Sequence, residues 1–116
     1  MKPTTPPLDD PFTIGIRRVA ETTTVVLTGE LDAATLPELT AALPEPDAGT
    51  ALVFDLRGLA FMDSTGIRLL MNLDIRSRSE GWTLAVVNTA GPVQRVLDLC
   101  RIPDRVRTVS DPAELR

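Results

Sequence analysis

The sequence has no histidine, no tyrosine and a single cysteine, and its only lysine is Lys2. Without histidine there is no Ser-His-Asp or Cys-His couple and no His-ligated zinc. The lone Cys100 builds neither an internal disulfide nor a multi-cysteine metal cage, so a reduced, cytoplasmic setting is expected. With its one lysine at position 2, the chain carries no Gly-rich phosphate loop ending in lysine. No run approaches the roughly 18 apolar residues of a membrane span, so no membrane association is expected. Residues 1–11 hold four of the ten prolines and no apolar core of a secretory signal; they read as a disordered lead-in. Residues 12–116 then suit one domain.

What is left for chemistry is carboxylates, arginines and hydroxyls, or no catalysis at all. The 12 basic and 16 acidic residues give a net charge of −4 and are mixed along the chain, which argues against a nucleic-acid partner. Neither a metal nor a cofactor is expected. All but one of the basic residues are arginine, a compositional hint of a high-GC bacterial source.

Periodicity divides the chain into short elements. Phe12, Ile14 and Ile16 alternate with Thr13, Gly15 and Arg17, the period of a half-buried strand. Thr23–Thr28 is a deeper strand that forms a hairpin with the first. Residues 29–34 read as a loop. A helix follows, with Thr35 as N-cap, Glu38 completing a capping box, and Leu36, Leu39 and Leu43 as its apolar stripe; Asp32 is the rival cap. Pro44 and Pro46 end it. The run Ala51–Leu56 suits a strand covered on both faces. A loop, 57–62, leads to a helix over Ser64–Glu80, with Gly81 as its C-terminal cap. Trp82–Val87 is another buried strand, with Trp82 a packing residue. Gly91–Cys100 is a helix with Val93, Val96, Leu97 and a buried Cys100 on one stripe. Arg105–Val109 is a short edge strand, and Asp111 caps a last turn. The order β-β-α-β-α-β-α-β-α implies an α/β domain, with helices packed on a mixed, largely parallel sheet of four to five strands.

Ligands and chemistry in such sheets favour the carboxyl ends of the parallel strands. Three loops are expected to converge there: 29–32, 62–66 and 88–91. The middle one, Asp63-Ser64-Thr65-Gly66, places hydroxyls where unpaired backbone N–H groups and the positive end of a helix dipole favour a phosphate. Alternatively, Asp63 or Ser64 is simply the N-cap. In the following helix Ile67, Leu70, Met71 and Ile75 form one apolar face, which Leu69 and Leu73 widen. Either these two leucines pack on neighbouring helices, or they are exposed to a partner beside Arg68 and Asn72.

Phe61-Met62-Asp63-Ser64-Thr65-Gly66-Ile67 resembles the signature of the STAS domain found in anti-sigma factor antagonists. Leu27-Thr28-Gly29-Glu30-Leu31-Asp32 with Thr35, then Val53-Phe54-Asp55-Leu56, and then residues 93–99 are similar to further family segments in order and spacing. The resemblance implies an anti-anti-sigma factor, not an enzyme. Its unphosphorylated form would bind an anti-sigma factor that is also a serine kinase, and so release a sigma factor. Phosphorylation would end that binding, and a serine phosphatase is a further implied partner. The matching acceptor is Ser64, with Thr65 second. Asp63, Asp32, Gly66 and Thr89 would surround it, and Arg68, Leu69, Asn72 and Leu73 would meet the partner. The free protein is expected to be a monomer. The other reading is a STAS interaction subunit of a transporter or signalling assembly, not regulated by phosphorylation.

Overall fold

The computed structural model describes residues 11–115. The expected lead-in, apart from Pro11, lies outside them. Five strands form one sheet in sequential order: β1 (Thr13–Val19), β2 (Thr22–Leu31), β3 (Ala51–Met62), β4 (Thr83–Val87) and β5 (Arg107–Val109). β1 is antiparallel to β2 and the other pairs are parallel, as the element order implied. The helices are α1 (Leu36–Ala42), α2 (Ser64–Glu80) and α3 (Gly91–Leu99). Short 3-10 helices at Ile102–Asp104 and Pro112–Leu115 flank β5, and Asp111 caps the second by accepting from the Ala113 N–H.

Parallel strands added in sequence, each through a crossover of the same hand, bring every crossover helix to the same side of the sheet. One core accordingly joins Val25 and Leu27 of β2, Leu52, Phe54 and Leu56 of β3, and Leu84 and Val86 of β4 to Leu39, Leu70 and Leu97 from the three helices. A smaller cluster, Val53, Ala85, Val87 and Val109, lies on the other face. There the cover is the C-terminal turn: Leu115 packs on the cluster and its carbonyl accepts from Thr22 Oγ1 at 3.2 Å.

Two expected loops are strand. β2 continues through Leu31, and β3 runs twelve residues to Met62. The register explains why they did not read as strand. Val26 pairs with Asp55 but Thr28 with Gly58, and Gly29 pairs with Leu59 but Glu30 with Phe61. Each irregularity inserts one extra residue in β3 and shifts its inside–outside alternation. Leu56, Leu59 and Met62 thus all reach the core at a spacing of three, which no period-two pattern finds. Gly29 has φ +91, and a Cβ there would lie 2.7 Å from Phe12 Cα, so the entering chain crosses β2 where only glycine fits.

Cys100 is exposed, against the expectation of a core residue. α3 ends at Leu99, Arg101 turns the chain with φ 57, and Ile102 fills the core instead at 1% exposure. Trp82 is buried as expected and donates Nε1–H to Glu80.

Asp55 is buried on the second face, and its carboxylate accepts two hydrogen bonds from the Arg57 guanidinium, at 2.9 and 2.8 Å. These bonds hold its carboxyl below the usual value, against the opposing effect of burial. A depressed folded value stabilises the fold above the unfolded-state pKa and is lost as pH falls through the folded one. Urea midpoints of the wild type and Asp55→Asn are therefore expected to differ most above about pH 4 and to converge as the pH falls below it.

Candidate functional site

The ends of β2 and β3 stand side by side, with Leu31 paired to Met62. The loops that follow are built by local hydrogen bonds. Asp32 Oδ1 accepts from the N–H groups of Ala34 and Thr35 at 3.0 and 3.2 Å, and the Asp32 N–H donates to Thr35 Oγ1. Thr35 Oγ1 in turn donates to Glu30 O at 2.9 Å. The expected Thr35–Glu38 capping box does not form, because the Thr35 hydroxyl is committed to this turn and α1 has no side-chain cap bond. Asp63 N–H donates to Leu31 O at 3.4 Å, which joins the two loops.

Asp63 is the N-cap of α2, with extended backbone and a side chain that accepts from the Thr65 N–H at 2.8 Å. The cap question is thereby decided for Asp63. Ser64 becomes the first helical residue; it is exposed, and its hydroxyl bonds to nothing among the described residues. Thr65 is half-buried. Gly66 is buried, and a Cβ there would lie 2.5 Å from Met62 Cγ and 3.0 Å from Leu31 Cδ2. The missing side chain lets α2 start directly on the two strand ends. Ser64 has no adjacent histidine to take its proton, and Asp63 Oδ1 is spent on the cap. Asp63→Ala is expected to cost about 1 kcal/mol in urea unfolding. Ser64→Ala should fall within roughly 0.5 kcal/mol of wild type, since its hydroxyl holds nothing.

The third loop leaves the sheet short of the other two. Val86 pairs with Phe54, eight residues before Met62, so β3 overruns β4 and residues 88–90 leave the sheet at a lower level. Thr89 N–H donates to Gln94 Oε1 and Asn88 N–H to Val109 O. Among the described residues Thr89 makes no hydrogen bond to the Ser64 loop.

At α-helical geometry Ser64, Ile75, Arg68 and Asn72 fall within an arc of about 80°. All four are exposed. The opposite side, Gly66, Ile67, Leu70, Leu73, Asp74 and Ser77, is buried. Leu73, at 5% exposure, is thus a core residue and not a partner contact, since it shares the Gly66–Leu70–Ser77 line that lies on the sheet. Leu69 is half-buried and packs against the core. Ile75, expected on the apolar face, is 58% exposed, and Phe61 is 43% exposed just before the motif. Sequence marked neither as an exposed contact; Ile75 is eleven residues from Ser64, three helical turns along the same line.

A family model described as "Mlab, STAS domain" matches residues 14–108. The chain belongs to the STAS domain family. No curated protein matches its sequence. Among solved structures, an anti-sigma factor antagonist from Mycobacterium paratuberculosis is 22% identical, with a TM-score of 0.72 over 90% of this chain and 91% of that one. The anti-sigma factor antagonist SpoIIAA in its unphosphorylated form is 19% identical, with a TM-score of 0.65 over 88% of this chain and 92% of that one. The STAS fold is thus shared along nearly the whole chain. Among its described residues, no helix is long and apolar enough to cross a membrane.

Proposed function

We infer that this STAS domain is an anti-sigma factor antagonist switched by phosphorylation of Ser64. One observation carries the reading: Asp63 caps α2, so the Ser64 hydroxyl stands exposed and unbonded at the helix start. A phosphate there brings about −1.5 to −2 charges beside the Asp63 carboxylate. The helix N-terminus tolerates this charge in the free protein, whereas a partner lying over Ser64, Arg68, Asn72 and Ile75 would have to desolvate it. The partner is then an anti-sigma factor with serine kinase activity, which supplies ATP and the catalytic groups. The fold shared with two anti-sigma factor antagonists supports this reading. The test is incubation with candidate kinases and ATP, followed by mapping of phosphate by mass spectrometry. Incorporation at Ser64, lost in Ser64→Ala, is expected; undiminished incorporation in Ser64→Ala would overturn the assignment.

A second reading, an interaction subunit of a transporter or signalling assembly, draws on exposed Phe61 and Ile75, which bind a partner without any phosphate. Under that reading Ser64→Ala and Ser64→Asp both keep the partner, while Ile75→Asp loses it.

A further inference from the structure

α2 carries three arginines, and two of them are paired with carboxylates. Arg76 meets Glu45 at 2.7 Å and Glu80 at 3.1 Å, and Arg78 meets Asp74 at 3.1 Å. Arg68 is exposed and forms no ion pair or side-chain hydrogen bond among the described residues. Its own helix offers it no anion. The residues three and four positions away are Ser64, Thr65, Met71 and Asn72, and the first turn of α2 holds no acidic residue. The helix dipole favours cations at the opposite end, so helix stability gives no reason for an arginine here.

Side chains on a helix lean toward its N-terminus, and residues four apart stand about 5–6 Å apart at Cβ. The Arg68 side chain therefore leads back over the turn that opens with Ser64, whose hydroxyl is exposed and unbonded. A guanidinium presents its N–H donors in a planar fork that matches phosphate oxygens. Kinase transfer of the γ-phosphoryl group of ATP to Ser64 Oγ, with loss of the hydroxyl proton and release of ADP, would bring such oxygens into its reach.

We propose that a phosphate on Ser64 is held by the Arg68 guanidinium, one turn along α2. The inference rests on the phosphorylation of Ser64 proposed above and adds the residue that receives the phosphate. Phosphorylation then has two effects at one place. It adds charge at the helix start, and it takes from the exposed line of Arg68, Asn72 and Ile75 its only cation.

The test uses the full chain with phosphoserine installed at position 64 by semisynthesis, so that it depends on no kinase. Phosphorus NMR reads the second ionisation of the phosphate, and a guanidinium beside it favours the dianion. That ionisation is expected about half a pH unit lower in the wild type than in Arg68→Gln, with Arg68→Lys in between. Among the described residues the carboxylates at this end of the sheet are Asp63 at the cap and Glu30 and Asp32 at the end of β2. They act in the opposite sense in all three proteins, so the difference isolates Arg68. The Arg68 Nε–H resonance should also move on phosphorylation and follow the phosphate through its titration. Equal ionisation in the wild type and Arg68→Gln, or an Nε–H resonance that phosphorylation leaves in place, would overturn the inference. The kinase assay on the unmodified chain succeeds or fails independently, so the two proposals fall separately.

Discussion

Under the proposed switch, Ser64→Asp is expected to weaken binding of the kinase partner by about 30-fold or more, roughly 2 kcal/mol. The loss should fall on the complex and not on the fold. In the free protein a carboxylate at the first position of α2 meets the positive end of the helix dipole, worth about 0.3–1 kcal/mol in its favour. Asp63 already holds the cap through the Thr65 N–H, so the new charge displaces nothing. Under a partner the same charge sits beside the Asp63 carboxylate, stripped of water, and that penalty is larger than the dipole can offset. Calorimetry with the kinase would measure it, with Ser64→Asn as a control of like size and no charge. Asn should lose little. If Asn lost as much as Asp, shape and not charge would control binding, and if Asp lost nothing the electrostatic switch would be ruled out.

Gly66→Val is expected to destabilise the domain by about 3 kcal/mol, near the top of the range for overpacked cores. Gly66→Ala poses the sharper contest. Alanine gains about 0.5–1 kcal/mol over glycine in a helix interior. Its Cβ, however, would lie 2.5 and 2.7 Å from Met62 Cγ and Sδ and 3.0 Å from Leu31 Cδ2. Met62 and Leu31 are each 2% exposed and have nowhere open to move. Overpacking should therefore win, leaving Ala destabilised by about 1–2 kcal/mol. Thermal midpoints would fall by roughly 5 °C per kcal/mol. A rise for Gly66→Ala would show that the methionine yields easily and that helix propensity decides the outcome. Because the same contact seats α2 on the strand ends, both variants should also slow the proposed phosphate transfer to Ser64.

Much of the framework was legible because its signals are local. The nearly continuous apolar run at Ala51–Leu56, the glycine after Glu80 and the proline pair after Leu43 each act within a few residues, and the corresponding elements stand close to where they were expected. Family membership was legible for the same reason: the motif around Ser64 is contiguous. The extension of β3 was not, because its bulges exist only against β2. Asp74 shows the limit from the other side. It lies on the buried line of α2 at 3% exposure, and only the arrival of Arg105, beside Arg78, supplies the cations that allow a carboxylate there.

The absence of histidine and the near-absence of cysteine, read from sequence alone, excluded the commonest nucleophilic and zinc chemistries. Sequence also determined the alternation of strands and helices, since backbone propensity and side-chain period are properties of short segments. Tertiary structure decided three things that depend on residues far apart in the chain. It assigned the cap to Asp63 and left Ser64 free. It buried Leu73 and exposed Ile75, because the side of α2 that meets the sheet is set by where the helix is seated. It ended β4 level with the middle of β3 and bound Thr89 to Gln94, because strand register is a relation between two segments that neither one encodes by itself.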